Sequence, residues 1–410
     1  MKPMVLVPSS CQNNMMKDVK RPKAAPDITV IGGGPVGYLS ALCLANRLPA
    51  DRRIRLITGR KTPASDGRGA AIVGRSMRIL DGLGLGDIFR KEGAPLAAIR
   101  IIDVTGRLLR APTTVFRASE AGQPEFGVSL TTAKIVELLA AKARTLENID
   151  IMPVDIKNVE RSDPGFELTD DEGRVFAAPF VVAADGQRSI SREAANISVR
   201  KWSYDQTALT FAVTHTLDHE DVSTEFHTAD GPFTLVPSGH LTSTVVWMMR
   251  PRDAERLMAL DAEAFAHTAE KTCRSILGRL KLCSPRGAYP MGGLLAKSFI
   301  ADNLALVGET AHAFPPIGAQ GLNLGFRDAD TLADAIVKAC RAGSLASDAL
   351  YGWDRERRRD AGLRTAGVDA FNRSLLTDFI PVSAVRGLGL MLLNNIAPLR
   401  RSVMRMGLAE

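Results

Sequence analysis

Residues 27–47, "DITVIGGGPVGYLSALCLANR", constrain this chain more than any other stretch. The run Ile28 to Ile31 is wholly β-branched and mostly apolar, which reads as a buried strand. Gly32, Gly34 and Gly37 follow with the spacing G-x-G-x-x-G, with Pro35 and Val36 between the last two, and a helical run continues to about Leu48. In this context the first glycine allows a tight turn and the second lets backbone approach a pyrophosphate. The third lets helix and strand pack closely. The helix N-terminus adds N–H donors and a partial positive charge. The motif therefore points to dinucleotide binding; a plain glycine turn in a βα unit is the other reading.

The usual acidic partner for the adenosine ribose stands about 20 residues further on. Here that place is held by Thr58, followed by Arg60 and Lys61. The two cations would suit the 2′-phosphate of NADP. Alternatively Thr58 or nearby backbone holds the ribose of FAD and the cations are solvated. This stretch leaves both open.

At 410 residues the chain is long for one core, so two interleaved lobes are expected. Strand and helix patterns alternate through "RIRLIT" (53–58), "SMRILDGLGLGDIFRKEG" (76–93), "TTAKIVELLAAKARTL" (131–146) and "FVVAADG" (180–186). From 201 to 287 the texture becomes Thr/Val/Phe-rich, split by Gly and Pro. Residues 302–340 return to strand, loop and helix, and the last 60 look helical. The expected fold is α/β: a Rossmann-like domain in two parts (27–200, with some strands lent to the other lobe, and 288–350), an inserted, mostly antiparallel β domain (201–287), and a helical region (351–410). Residues 1–26 have no period and read as a disordered tail.

The net charge of +7 sits at the ends, +4 in residues 1–26 and +4 in residues 351–410, so the body is near neutral. With aromatic residues at only 5%, nucleic acid is not an expected partner. Five scattered cysteines without a CxxC pattern imply reduced thiols and a cytoplasmic setting. His215, His219 and His227 lack the spacing and companions of a metal site, so none is expected.

Two later stretches each follow a buried strand: "ADGQRSISR" (184–192) and "VGETAHAFPPIGAQGLNLGFRD" (307–328). With the glycine turn, and in this order, they resemble the class A flavoprotein monooxygenases of the para-hydroxybenzoate hydroxylase type. "DGRGAAI" (66–72), "WSYDQTA" (202–208) and "FNRSLL" (371–376) are similar to the ubiquinone-biosynthesis hydroxylases within that class. The resemblance implies FAD as cofactor, with NADPH or NADH as a transient reductant. It implies that Gly32, Gly34, Pro35, Val36, Gly37 and Thr58 serve the adenine end and pyrophosphate, Arg68 reaches the flavin end, and Asp185 serves FAD near the NAD(P)H approach. Gly308 and Glu309 stand at the ribityl position, with Glu in place of the family's Asp. Gly318, Gly321, Leu322 and Asn323 match the loop whose backbone N–H groups face the flavin pyrimidine edge. A carboxylate accepts from a ribityl diol, and N–H donors suit a ring region that becomes negative on reduction.

The reaction so implied is hydroxylation of a polyprenylated phenol by NAD(P)H and O2 through a C4a-hydroperoxyflavin, in a site that excludes water. No catalytic side chain is assigned, because the flavin carries the chemistry; Pro315 and Pro316 line the reactive ring, and His312 orders that loop. Gln206, Phe233, Val236, Pro237 and Trp247 are substrate candidates, with core packing as their other reading. The alternatives are hydroxylation of a small soluble aromatic, reduction of prenyl chains, or a non-catalytic flavin-fold subunit of a quinone-biosynthesis complex. An NADP-dependent dehydrogenase would leave residues 307–328 without a purpose. Residues 385–408, apolar with Arg386, Arg400, Arg401 and Arg405, could touch the inner membrane surface or a complex partner, or simply pack on the body.

Overall fold

The computed structural model describes residues 27–60, 68–106, 112–315, 320–343, 347–376 and 400. The expected tail, Lys61, Asp66, Pro316, Gly318 and nearly all of 377–410 lie outside these residues.

The first lobe is built on a six-stranded sheet. Its neighbours run Ile300–Ala301, Leu304–Leu306, Val181–Ala183, Ile28–Ile31, Ile54–Ile57 and Ile149–Met152. All pairs are parallel except the edge pair Ile300–Ala301 with Leu304–Leu306. The central strands are buried throughout, which explains their almost wholly apolar sequence, Thr29 being the one polar residue among them. Helix Pro35–Arg47 packs against helices Thr132–Ala143 and Gln320–Arg341. Thr131 caps the first of these neighbours, its side chain accepting from Lys134 N–H at 3.2 Å. The helical pattern of 76–93 is split into Arg75–Gly82 and Gly86–Glu92, with Gly84 left-handed (φ +68°) in the break.

The second lobe is a nine-stranded sheet whose spine is the 17-residue strand Val199–His215. This sheet is wider than the expected 201–287. It recruits Ala98–Asp103 and Thr114–Arg117 from upstream, and Gly287–Ala296 and His312–Ala313 from downstream. Long-range pairing decides such membership, and no local pattern reports it. Two helices, Pro251–Met258 and Ala262–Thr272, also interrupt the stretch read as β. They cover one face of the sheet and seal a core of Leu209, Phe211, Val213, Phe233, Trp247 and Phe265.

The opposite face carries Ala208, Val246, Met248, Met291 and Tyr204, packed with Val368 of helix Tyr351–Leu376. It turns toward the first lobe: Thr244 Oγ1 lies 3.0 Å from where a Cβ on Gly69 would stand. The Arg68 guanidinium lies over the Tyr289 ring at 5.5 Å from its centroid.

Candidate active site

Three adjacent parallel strands end on the same side, and each delivers one of the sequence motifs. Ile28–Ile31 leads into the glycine turn, Val181–Ala183 into Asp185, and Leu304–Leu306 into Gly308 and Glu309. The carboxyl ends of parallel strands are where open α/β sheets bind ligands.

The glycines divide by what surrounds them. A Cβ on Gly32 would meet the Ala184 carbonyl oxygen at 2.2 Å, on Gly33 the Thr58 carbonyl oxygen at 2.1 Å, and on Gly37 the Gly32 carbonyl oxygen at 2.0 Å. These three are required by chain-to-chain contact. A Cβ on Gly34 would meet nothing within 4 Å. Gly34 borders open space at the N-terminus of helix Pro35–Arg47, where a pyrophosphate fits. Val36 packs against Gly308 and Gly325, closing the turn onto the third motif. Gly33 and Gly325 are contributors that sequence reasoning missed; the repeated glycines around the motifs were the available signal.

Asp185 and Glu309 are joined through Thr310. The Thr310 hydroxyl donates to Asp185 Oδ1 at 3.3 Å and accepts from Gly186 N–H at 2.9 Å. Asp185 Oδ2 accepts from Ser191 N–H at 3.1 Å. Arg192, sealed from solvent, donates to the carbonyls of Thr310 at 2.8 Å and Gln187 at 2.9 Å. Burial pulls its pKa below the usual arginine range. Glu309 stays exposed, with Gln187 Nε2 at 3.3 Å from its carboxylate. Two motifs more than 120 residues apart thus form one polar rim that leaves a carboxylate facing out.

Behind the rim lies a buried hub. Asp328 accepts from Gly308 N–H at 3.0 Å, from His312 Nε2 at 2.6 Å and from Arg357 Nε at 2.8 Å. Burial pushes the Asp328 carboxyl up, but His312, Arg357 and the Gly308 N–H outweigh it and hold it below the usual carboxylate range. Arg357 continues to Asp360 at 2.8 Å, Asp360 to Arg364 at 2.8 Å, and Arg364 to Gln320 Oε1 at 2.8 Å. Sequence reading had Asp328 only as the end of a motif and did not single out Arg357. His312, expected to order that loop, is buried against Asp328.

Gly321, Leu322 and Asn323 lie in the first turn of helix Gln320–Arg341, not in a loop. First-turn N–H groups have no intrahelical acceptor, so their donors are available. The Asn323 side chain is already committed: its Nδ2 donates to Ala71 O at 2.8 Å and its Oδ1 accepts from Val73 N–H at 3.1 Å. Pro315 is buried.

Arg60 is engaged elsewhere. Its guanidinium pairs with Asp171 at 3.1 Å and with Glu172, and its N–H donates to Asp155 Oδ1 at 3.1 Å. A cation neutralised in this way is poorly suited to a 2′-phosphate, which favours the FAD alternative. Thr58 lines the turn with its carbonyl against Gly33, while its hydroxyl donates to Gly59 O at 3.2 Å.

The substrate candidates fall on both faces of the second-lobe sheet. Phe233 and Trp247, with ring centroids 5.1 Å apart, belong to the helix-covered core and point away from the first lobe. Alternation puts Val236 on the inner face, in register with Thr244, and Gln206 is buried where the sheet meets helix Tyr351–Leu376. Pro237 is buried next to Val236. The three histidines have protein partners: His215 faces Leu217 O and Ser243, His219 faces Gly239 O, and His227 faces Glu225 at 2.8 Å.

A glycine cradle at a helix N-terminus, an outward carboxylate and a helix first turn at the ends of three parallel strands define a flavin-binding monooxygenase. The chain belongs to the FAD binding domain family, which matches residues 26–364. Among its relatives is the ubiquinone hydroxylase UbiL of Rhodospirillum rubrum, 31% identical over 387 residues, covering 92% of this chain and 88% of the relative. The 3-demethoxyubiquinol 3-hydroxylase of Escherichia coli is 27% identical over 391 residues, covering 93% of this chain and 98% of the relative. In fold the chain is similar to p-nitrophenol 4-monooxygenase PnpA from Pseudomonas putida, with a TM-score of 0.77 at 19% identity, covering 93% of this chain and 96% of that one. It is thus an FAD-dependent monooxygenase, and NAD(P)H is the reductant typical of its class.

Proposed function

We propose that this protein hydroxylates the aromatic ring of a polyprenylated phenol on the route to ubiquinone, consuming NAD(P)H and O2. One oxygen atom enters the ring, the other leaves as water, and NAD(P)H supplies the two electrons. The observation that carries this reading is the full-length likeness to a ubiquinone hydroxylase. When bound, FAD supplies hydride acceptance and dioxygen activation, chemistry that protein side chains lack.

The chain's own residues bind, orient and keep the site dry. Gly34 and the N–H groups opening helix Pro35–Arg47 hold the pyrophosphate, with Gly32 and Gly37 shaping the turn. Thr58 borders the adenosine ribose, Glu309 accepts from the ribityl chain, and Asp185, anchored by Ser191 N–H and the Thr310 hydroxyl, serves the cofactor beside it. The first-turn N–H groups of Gly321, Leu322 and Asn323 stabilise negative charge on the flavin pyrimidine edge. Arg68 stands at the flavin end on the Tyr289 ring. Ala208, Val246, Met248 and Met291 form an apolar face for the substrate and exclude water. Among the described residues no helix is long and apolar enough to cross a membrane. An insoluble substrate would therefore be taken from the inner membrane surface or from complex partners, with 385–408 as the contact; nearly all of that segment lies outside the described residues.

The test is incubation of the purified FAD-loaded protein with NADPH, labelled dioxygen and a short-chain prenylphenol. One labelled oxygen on the ring is expected. NADPH oxidation yielding only hydrogen peroxide with every phenol tried would overturn the proposal.

A further inference from the structure

Two amide side chains meet in the interior where the substrate lobe joins the last described helix. Asn372 Nδ2 donates to Gln206 Oε1 at 2.9 Å, linking positions 166 residues apart. Asn372 is fully buried and Gln206 is 1% exposed. Each retains one unsatisfied polar atom, Gln206 Nε2 and Asn372 Oδ1. A buried amide group left without a partner is destabilising. The chain keeps two such atoms on a pair of bonded side chains, one donor and one acceptor. Exchanging O and N in both amides again leaves one free donor and one free acceptor, with the two residues' parts swapped.

The pair is firmly placed. Trp202 Nε1 donates to the Tyr204 hydroxyl at 2.8 Å, which donates to Asp369 Oδ1 at 2.7 Å. This relay holds helix Tyr351–Leu376 on the sheet one turn before Asn372. Tyr204, Gln206 and Ala208 alternate onto the inner face, where Ala208, Met248 and Met291 supply an apolar wall. Two turns earlier on the helix, Arg364 contacts Gln320 at the start of helix Gln320–Arg341, which ties the pair's position to the cofactor half.

We propose that the Gln206–Asn372 amide pair is the subsite for the phenolic hydroxyl of the ring substrate. A neutral phenol O–H is both donor and acceptor: it donates to Asn372 Oδ1 and accepts from Gln206 Nε2. The apolar wall then takes the ring and its prenyl substituent. This inference rests on the hydroxylase reading above and names the contact that orients the ring.

The experiment titrates the purified FAD-loaded full chain with ortho-prenylphenol and with its O-methyl ether, following the absorbance of bound flavin. The wild type is expected to bind the phenol about tenfold or more tightly than the ether, which cannot donate. The double variant Gln206→Met/Asn372→Leu removes both orphaned groups together, a change close to neutral for folding. It is expected to lose the preference and keep its ether affinity. A preference unchanged in the double variant, or absent from the wild type, overturns the subsite. If the wild type hydroxylates the ring while the preference ignores these substitutions, the subsite fails and the function stands. If the preference follows the amides but no prenylphenol is hydroxylated, the function fails and the subsite stands.

Discussion

The His312 imidazole meets the Asp328 carboxylate at 2.6 Å, with both side chains sealed from solvent. Through Asp328 the third motif is fastened to Arg357, and so to the helix that also carries Asn372. Asp328→Ala would leave Arg357 as a buried charge with its main partner removed. We expect a loss of about 3–5 kcal/mol of stability together with release of FAD. Thermal melting and the flavin content of the purified variant measure both.

Asp328 and the half-buried Asp360 together set an acid limit. For both Asp328 and Asp360 burial pushes the pKa up. His312, Arg357 and the Gly308 N–H at Asp328, and Arg357 and Arg364 at Asp360, lower it by more. A depressed carboxylate contributes stability that is fully present above its unfolded value of ~3.9. That stability is lost as pH falls through the folded value, because the unfolded chain binds the proton first. The urea midpoint should therefore fall below about pH 4, and Asp328→Asn should show a shallower fall. Equal slopes in the two proteins would contradict this.

Gly34 and Gly37 should separate binding from folding. At Gly34 a Cβ meets nothing and the backbone is extended (φ −84°, ψ 175°), so Gly34→Ala is expected to change stability by only about 0.5 kcal/mol. It would intrude on the pyrophosphate and weaken FAD binding at least about tenfold. Gly37→Ala would press on the Gly32 carbonyl oxygen at 2.0 Å and lower the melting temperature even without cofactor. Calorimetry on apo-protein and FAD titration distinguish the two.

Arg60 is expected to play no part in choosing the reductant, since Asp171 and Glu172 already hold its guanidinium. The ratio of kcat/KM for NADPH to that for NADH should be the same in Arg60→Ala as in the wild type. A selective loss with NADPH would show that the side chain reaches the 2′-phosphate.

Burial pushes the Cys43 thiol up to about 12 and the Cys273 thiol up to about 11, which leaves almost no thiolate at neutral pH. Cys283 is exposed. Iodoacetamide on the native protein, followed by peptide mapping, should label Cys283 and spare Cys43 and Cys273 until the chain is unfolded.

Local sequence determined the parts of this protein whose causes are local. The turn at Gly32–Gly37 needs residues without a Cβ within a few positions of one another, so it can be read directly from spacing. The buried strands Ile28–Ile31 and Val181–Ala183 declare themselves by β-branched and apolar composition. The resemblance carried by residues 184–192 and 307–328 resolved a cofactor that Thr58 and Arg60 alone left open. Tertiary structure decided what depends on partners far along the chain. It gave Phe233 and Trp247 to the helix-covered core, because a strand has two faces and its own alternation does not say which one faces the first lobe. It drew Ala98–Asp103 and Gly287–Ala296 into the second-lobe sheet by hydrogen bonds to distant strands. It joined Gln206 to Asn372 and Asp328 to Arg357, since a buried polar group is satisfied by whichever residue the fold brings to it, and sequence separation does not determine that proximity.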